Sequence, residues 1–412
     1  MKIKIRTLAL LLVMLAELVI QVVAKENTIF RFNFTDGAYP LAGLIADSQG
    51  NLYGAAAGGG GGDCSNAGCG MVFELAPASG GTWTEKVLYV FEGTSDGGDP
   101  LTNLLIDGKG NLYGCVTDGG ANNLGGLYKL TPAPGGTWTE SLVFSFAEQT
   151  GFVPGSQIVA DTHGNIFLTL QYLGPGLSGT VFELSPQSNG TWSGTVIYAF
   201  SGENGDGDQP YGGVILDHGG NVYGTTGYGG AYRSGTVYQL TPNGQGAWTE
   251  NILYNFMDNQ DGGFPESPLT IDGSGNLYGT TLGGGSNFRG VAFELSQSGG
   301  KWSESVLHDF GSGPSDGFLA NGMTFGANGV LYGTTLGGGD GCNGTGCGIV
   351  FQLTPQGGGQ WQETILHQFE SILDGSQSQA PVLIDNKGGR LFGVTQYGGG
   401  MYGYGTVFMT QP

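Results

Sequence analysis

The chain has 412 residues, of which 84 are glycine and only 11% are charged, against averages of about 7% and about 25% in globular proteins. Because 39% of the residues are hydrophobic and 11% aromatic, the chain can fill a core, which excludes general disorder. No Gly-X-Y period is present, which excludes collagen. So much glycine would interrupt most helices, and the composition therefore predicts an all-β protein of short strands and tight turns. The net charge of −21 makes nucleic acid and anionic membrane surfaces poor partners.

The first 24 residues have the pattern of an export signal. Three basic residues precede an apolar stretch from Leu8 to Val23, and small residues end at Ala24. This pattern predicts a signal peptide over residues 1–24 and a mature chain over 25–412, located outside the cytoplasm: secreted, periplasmic or on the cell surface. An uncleaved membrane anchor is the alternative, but the stretch is short for a span and contains Glu17. No second apolar run follows, so we expect a mature protein that does not span a membrane.

Internal repeats dominate the rest of the chain. The phrase Asp-x-x-Gly-Asn-Leu-Tyr-Gly recurs, with two degenerate copies, at intervals of 54 to 60 residues. The copies begin at Asp47, Asp107, Asp161, Asp217, Asp272, Gly326 and Asp385. All six tryptophans follow the same period: Trp83, Trp138, Trp192, Trp248, Trp302 and Trp361. Seven repeats of this length indicate a ring or solenoid of similar units.

Each repeat contains four extended segments separated by glycine or proline. In the second repeat these are residues 100–107, 111–117, 126–131 and 138–146. The first is a near-continuous apolar run, typical of a strand buried on both faces, and the fourth alternates polar and apolar residues. Seven units of four antiparallel strands predict a seven-bladed β-propeller. Its blades would start near residues 40, 100, 154, 210, 265, 319 and 380.

The two ends of the repeat region complement each other. The seventh repeat stops after its third strand, at residues 405–409, whereas residues 26–32 match the outer strand at residues 85–91. We therefore predict that residues 26–34 form the outer strand of blade 7 and close the ring.

The repeat consensus, read from Tyr211 to Phe256 and from Pro265 to Phe310, is P-x-x-x-L-x-x-D-x-x-G-N-L-Y-G-T-T, then G-T-V-F-x-L-T-P and W-T-E-x-x-L-Y-x-F. It resembles the GloVer (Gloeo_Verruco) tandem repeat over residues 28–409. The resemblance implies an extracytoplasmic bacterial repeat protein and carries no assigned reaction.

Two series of aspartates follow the repeat. The first precedes a glycine between one blade and the next, and comprises Asp36, Asp96, Asp206, Asp261, Asp316 and Asp374. These carboxylates would ring one face, as a cation or Ca²⁺ site or a docking rim for a basic partner, or they would simply form Asp-Gly turns. We favour turns, because a ring spreads the oxygens that Ca²⁺ needs at one point. The second series, the aspartates that begin the repeat phrase, falls in hairpins on the opposite face and is also interpreted as turn-forming.

The cysteines predict two small disulfide loops. Cys64 with Cys69 and Cys342 with Cys347 occupy the same loop in blades 1 and 6, and each pair closes most simply on itself in an exported chain. A Cys₄ metal site would have to join loops separated by blade 7. Cys115 replaces a small residue of the second strand and is interpreted as a core residue.

The remaining chemistry-bearing residues point to no reaction. The period of the tryptophans favours packing between blades over sugar stacking. The histidines are His163, His218, His308 and His367. The first two fall in hairpin turns and the last two replace a tyrosine of outer strands, so we expect no metal, no cofactor and no histidine-based catalysis.

The sequence therefore predicts a binding or structural scaffold whose extracellular ligand, a polysaccharide or a protein, is not specified. The alternative is a polysaccharide-active hydrolase or lyase that uses carboxylates on one propeller face. Blade 3 departs most from the repeat, at residues 149–151 and 169–171. We expect any specific site to lie near it.

Overall fold

The computed structural model describes residues 26–62, 64, 67–244, 246–344, 346–370, 374–385 and 389–412. Antiparallel four-stranded sheets form seven blades in a ring, which confirms the predicted β-propeller. The predicted signal peptide, residues 1–24, lies outside the described residues. Among those residues, the structure contains no helix that is long and apolar enough to cross a membrane.

Strand order within blades 1 to 6 follows chain order from the central axis to the rim. The strands of blade 1 are Ile45–Ala46, Leu52–Ala56, Met71–Pro77 and Trp83–Val90. Those of blade 2 are Gly98–Pro100 and Leu105–Ile106, Leu112–Asp118, Gly126–Pro132 and Trp138–Ser145. Those of blade 3 are Phe152–Pro154 and Val159–Ala160, Ile166–Tyr172, Thr180–Pro186 and Trp192–Ala199. Those of blade 4 are Val214–Leu216, Val222–Thr226, Thr236–Pro242 and Trp248–Asn255, with a short ribbon of Gly207–Asp208 and Tyr228–Gly229.

The remaining blades repeat this plan. Blade 5 contains Thr270–Ile271, Leu277–Thr280, Val291–Ser298 and Lys301–Asp309. Blade 6 contains Gly317–Phe325, Leu331–Gly338, Ile349–Gly357 and Gln360–Gln368. Blade 7 contains Leu383–Ile384, Leu391–Thr395, Thr406–Thr410 and, from the N-terminal end, Asn27–Arg31. Short 3₁₀ turns lie at Ser79–Gly81, Pro134–Gly136, Ala327–Gly329 and Cys342–Gly344.

The inner strand of a blade is shorter than its apolar run predicts. In blade 2, Gly98–Pro100 and Leu105–Ile106 pair with the second strand, and the backbone between them leaves the ladder. The N–H of Asn103, within that interruption, donates to the carbonyl oxygen of Ser156 in blade 3 at 3.1 Å. The run is therefore apolar because it is enclosed by neighbouring blades, while part of its hydrogen bonding joins blades instead of strands.

The N-terminal strand closes the ring as predicted. Asn27–Arg31 pairs antiparallel with Thr406–Thr410, and Asn27 lies opposite Met409. Phe32, which follows this strand, is buried and packs edge-on against Phe73 of blade 1 at a ring-centroid distance of 5.2 Å. The segment therefore completes blade 7 and also joins it to blade 1.

The tryptophans pack between blades. Trp83 of blade 1 lies edge-on to Phe392 of blade 7, at 5.6 Å between ring centroids. Trp192 of blade 3 contacts Tyr113 of blade 2 in a tilted arrangement, at 5.7 Å between ring centroids. In both pairs the outer-strand tryptophan covers the aromatic residue on the second strand of the preceding blade, which explains the strict period.

The loops divide between two faces. We call upper the face that carries the inter-blade connections and the loops between second and third strands, and lower the face that carries the other hairpins. Cys64–Cys69 and Cys342–Cys347 form disulfides in upper loops of blades 1 and 6, and Cys115 is free and buried. Both predicted pairings are therefore confirmed.

Candidate functional site

The lower-face aspartates hold their hairpins together. Oδ1 of Asp47 accepts the N–H groups of Gln49 and Asn51 at 2.8 and 3.0 Å, and Oδ2 accepts the Tyr53 hydroxyl at 3.2 Å. Burial alone would raise the pKa of Asp47, but these hydrogen bonds outweigh it and lower the pKa. The same contacts recur at Asp107 and Asp217. They are the contacts of turn-forming residues.

The upper-face aspartates are similarly engaged with their own connections. Oδ2 of Asp96 accepts the Glu92 N–H at 2.8 Å and the Tyr89 hydroxyl at 3.0 Å. Oδ1 accepts the N–H of Thr94 at 3.3 Å, and the residue is only 9% exposed. Such carboxylates face the protein, which favours the turn-forming interpretation of Asp36, Asp96, Asp206, Asp261, Asp316 and Asp374. A docking rim built from them stays a prediction.

A glutamate from the next blade completes each of these contacts. Asp96 follows the outer strand of blade 1, and Glu140 of blade 2 lies beside it. Burial, the larger effect, and the charge of Asp96 together raise the pKa of Glu140 to about 7. We call each such set an interface triad. Three triads contain tyrosine: Tyr89 with Asp96 and Glu140, Tyr198 with Asp206 and Glu250, and Tyr254 with Asp261 and Glu304. Two contain histidine: His308 with Asp316 and Glu363, and His367 with Asp374 and Glu26.

One interface replaces all three residues of the triad, whereas between blades 7 and 1 only the tyrosine is replaced, by Phe30, beside Asp36 and Glu85. Between blades 2 and 3, Phe144, Thr150 and Gly194 occupy the positions of the tyrosine, the aspartate and the glutamate. A Cβ added to Gly194 would lie 2.6 Å from the ring of Phe144, so this ring fills the space of the missing carboxyl group. All three positions change together, as expected of groups whose purpose is to pack and hydrogen-bond to one another.

The backbone at the upper mouth of the central cavity adopts the same unusual conformation in every blade. One non-glycine residue in each blade adopts the left-handed conformation, with φ between 56° and 58°. These residues are Tyr39, Asp99, Val153, Gln209, Phe264, Leu319 and Gln377. In most blades the N–H of this residue donates to a carbonyl of the preceding blade, as Gln209 does to Ser178 at 2.9 Å. The backbone is thus constant although the side chain changes around the ring, and strained backbone of this kind is concentrated at functional sites.

Two residues further along, a second ring faces the cavity. It consists of Leu41, Leu101, Gly155, Tyr211, Glu266, Asn321 and Gln379. Six of them line a cavity of about 240 Å³, and on blade 3, where the ring has glycine, Gln171 of the second strand lines it instead. The residues of this ring are apolar on blades 1 and 2 and polar on blades 4 to 7, while Leu282 and Leu336 add apolar groups to the wall on blades 5 and 6.

Tyr211 and Glu266 of this wall pack against the same glycine. A Cβ on Gly227 would lie 2.9 Å from the Tyr211 ring and 3.2 Å from Cγ of Glu266, so both side chains depend on that glycine. The Tyr211 hydroxyl donates to the side-chain oxygen of Gln209 and lies 3.4 Å from the Tyr172 hydroxyl. Burial raises the pKa of Glu266 to about 6. The pair presents an aromatic face beside a carboxyl group that titrates near neutral pH.

Exposed apolar side chains are concentrated on the same face. Of the eleven large hydrophobic side chains exposed among the described residues, nine lie on the upper face. They are Tyr172, Leu177, Tyr228, Tyr232, Met257, Phe288, Tyr397, Met401 and Tyr402. Exposed apolar groups gathered on the face that carries a cavity are typical of a binding surface.

Comparison with protein families identifies the repeats. The model of the Gloeobacter/Verrucomicrobia repeat matches residues 19–215 and 209–412. The chain belongs to this repeat family. The match confirms the resemblance seen in the sequence, and the family and the two disulfides are consistent with a location outside the cytoplasm. Comparison with curated proteins finds no match.

Solved structures similar to this member of the repeat family include a protein provisionally assigned as a gluconolactonase, which is 14% identical. The likeness covers 95% of this chain and 92% of that one, with a TM-score of 0.42. A gluconolactonase from Xanthomonas campestris is also 14% identical, with 94% and 89% covered and the same TM-score.

The departure of blade 3 from the repeat does coincide with the cavity, because Gln171 lies on its wall. Sequence analysis missed Tyr211, Glu266, Asn321 and Gln379. The signal was present in the sequence. These residues lie two positions after the left-handed residue of each blade, and this position varies around the ring although the positions beside it repeat.

Proposed function

We propose that this repeat protein is an extracytoplasmic scaffold that binds a glycan at the upper mouth of its central cavity. The observation that carries the proposal is the variable ring on a constant backbone, with tyrosine, amide and carboxyl groups gathered on blades 3 to 7. Sugars present apolar C–H faces that stack on aromatic rings and hydroxyl groups that pair with amides and carboxylates. Tyr211 on blade 4 supplies an aromatic ring, and Gln171 on the adjacent blade 3 supplies an amide.

The negative charge of the chain limits the class of glycan that we expect it to bind. A net charge of −21 repels anionic glycans, and Glu266 adds a negative group above about pH 6. We therefore expect neutral oligosaccharides or oligosaccharides of amino sugars. Secretion through the predicted signal peptide, residues 1–24, belongs to the same proposal and brings the scaffold to such ligands.

Binding is favoured over hydrolysis by the number of carboxyl groups. Glycosidases of the common kinds use two carboxyl groups, about 5 to 10 Å apart, on either side of the scissile bond. Among the described residues that line the cavity, Glu266 is the only carboxylic acid. The pKa of about 6 would suit a general acid, which keeps a polysaccharide-active enzyme as the second candidate.

The test begins with an array of neutral, amino-sugar and uronic-acid oligosaccharides, followed by calorimetry on the best neutral or amino-sugar probe. We expect Tyr211→Ala and Gln171→Ala to weaken binding at least tenfold. Gly227→Ala should weaken it also, because the added methyl group separates Tyr211 from Glu266. Tyr402→Ala is the matched control, since Tyr402 is an exposed aromatic residue of the same face outside the cavity.

The controls separate the alternatives. Equal loss from Tyr402→Ala and Tyr211→Ala would indicate a protein docked across the whole face. Release of sugar products that stops in Glu266→Gln would replace the scaffold with an enzyme. Binding of uronic-acid probes alone would contradict the charge argument.

A further inference from the structure

Two interface triads differ from the others in the chemistry of one side chain. Where three triads have tyrosine, the interfaces between blades 5 and 6 and between blades 6 and 7 have His308 and His367. Tyrosine donates a hydrogen bond to the aspartate, and a histidine with a proton on Nε2 does the same. Either residue therefore supports the fold at this position. When Nε2 carries no proton, histidine instead offers a nitrogen lone pair that tyrosine lacks, and imidazole with carboxylates is a common ligand set for zinc-like ions.

The donor atoms are already gathered. In the first site Nε2 of His308 lies 3.2 Å from Oδ1 of Asp316 and 3.7 Å from Oε2 of Glu363. Ligand atoms around a tetrahedral zinc ion, at bond lengths of about 2.0–2.2 Å, are about 3.4 Å apart. In both sites one donor atom from each residue lies within 4.8 Å of the others. The spacing of the first site therefore matches a metal site with little movement, whereas in the second site Nε2 of His367 and Oδ2 of Asp374, 2.7 Å apart, would have to separate to bind an ion.

The first site also contains an unsatisfied group. Oε1 of Glu363 is buried and accepts no hydrogen bond, and the Glu363 side chain as a whole is 14% exposed. Once Glu363 is ionised, two carboxylates and one imidazole leave a negative balance that a divalent cation would compensate. Ca²⁺ fits poorly, because it takes six to eight oxygens and does not favour imidazole.

We propose that the interfaces between blades 5 and 6 and between blades 6 and 7 each bind one divalent transition-metal ion of the zinc class. His308, Asp316 and Glu363 hold the first ion, and His367, Asp374 and Glu26 hold the second, each leaving a fourth position for water. The second site takes Glu26 from the N-terminal end of the chain and so binds across the closure of the ring.

The repeat provides variants that are compatible with the fold. His308→Tyr and His367→Tyr restore the side chain found in the other triads, so they remove the imidazole and keep the hydrogen bond to aspartate. Tyr254→His does the reverse, because it places imidazole beside Asp261 and Glu304. The His163→Ala, His218→Ala double variant controls for binding at the histidines in hairpin turns.

Each protein is stripped with EDTA, dialysed against micromolar Zn²⁺, and measured for zinc content and melting temperature. We expect two zinc ions per chain in the wild type and in the hairpin-histidine control, one in each single tyrosine variant and none in the double variant. Tyr254→His should bind three. Zn²⁺ should raise the melting temperature only of proteins that bind it.

Two results would overturn the proposal: a wild type that takes up fewer than half a zinc ion per chain, or a His308→Tyr, His367→Tyr double variant that retains the wild-type content. Glu363→Gln covers the case in which a tyrosine variant does not fold. It nearly preserves the shape of the side chain and should lose the first ion while His367 still holds the second.

Discussion

At the scale of single residues, the interface triads place carboxyl groups where burial disfavours their charge. In the three tyrosine-containing triads Oε1 of the glutamate is buried without a hydrogen-bond partner, and the same holds for Glu85 beside Asp36; the triad residues are Glu140, Glu250 and Glu304. Burial, the largest effect, raises the pKa of each to about 7, and a neighbouring aspartate adds to it. A protonated glutamate suits this position, because it removes one of two adjacent negative charges.

These groups predict how stability depends on pH. The folded pKa of Glu250, about 7, lies above the ordinary value of 4.5, so the folded state binds the proton more tightly. The stabilisation is fully present below about pH 4.5 and is lost as the pH rises to about 7. The melting temperature of the wild type should therefore fall between pH 5 and pH 8.

Glu250→Gln isolates one such group. The amide resembles the protonated acid and does not titrate, so the variant should fall less steeply than the wild type and exceed it most at pH 8. Thermal melts at half-unit steps measure the two slopes. Glu203→Gln, at an exposed turn position, should run parallel to the wild type. Coincident slopes for Glu250→Gln and wild type would show that Glu250 is charged in the folded protein.

Sequence alone identified the Asp-Gly turns but not the partners of the aspartates. The tyrosine and the aspartate of a triad lie seven or eight residues apart, but the glutamate follows 43 or 44 residues later on the next blade, so only the ring arrangement brings it to them. The joint change of Phe144, Thr150 and Gly194 is a detectable signal once repeats are aligned by blade interface instead of by repeat.

At the scale of elements, the disulfide loops support neighbouring blades as well as themselves. The carbonyl oxygen of Cys69 accepts the N–H of Asp99 at 2.9 Å, and that of Cys347 accepts the N–H of Gln377 at 2.8 Å. Asp99 and Gln377 are the left-handed residues of the following blades. Each disulfide therefore positions a carbonyl oxygen that accepts the N–H of one left-handed residue at the upper mouth of the central cavity.

Removal of a disulfide should have a modest and measurable cost. Cys342→Ala with Cys347→Ala opens a loop of six residues, for which loop entropy predicts a loss of about 2 kcal/mol. In a chain of this length that corresponds to about 2–3 °C in melting temperature. Reducing agent should lower the wild type toward the variant and leave the variant unchanged. Peptide mapping without reduction should show both pairs intact, with Cys115 as the free thiol; a bond between the two loops would contradict the assignment.

Sequence patterns predicted the outer strands of each blade better than the inner strand. Turn residues and alternation identified the outer three strands of each blade, because those strands pair along most of their length. The inner strand was predicted as one run over residues 100–107, whereas the structure interrupts it. An apolar run reports burial, and burial near the axis comes from neighbouring blades as much as from a strand ladder.

At the scale of the whole molecule, one short segment determines whether the ring is closed. Without Asn27–Arg31, blade 7 would present Thr406–Thr410 as an open edge, and Phe32 would leave its contact with Phe73. Loss of one buried phenylalanine side chain costs about 3–5 kcal/mol by itself, and an unpaired edge strand promotes aggregation. The segment also supplies Glu26 to the triad between blades 6 and 7.

Deletion of residues 26–34 should therefore lower the melting temperature by at least about 5 °C or cause aggregation. A permuted chain separates closure from chain length. Because Asn27 lies opposite Met409, Pro412 can be joined to Glu26 through a short glycine-containing turn like those between third and outer strands, with new ends at the exposed turn near Gly135. This chain keeps every strand pair, so it should melt within a few degrees of the wild type. If the deletion melted like the wild type, or the permuted chain failed to fold while the deletion folded, closure by the N-terminal strand would not stabilise the ring.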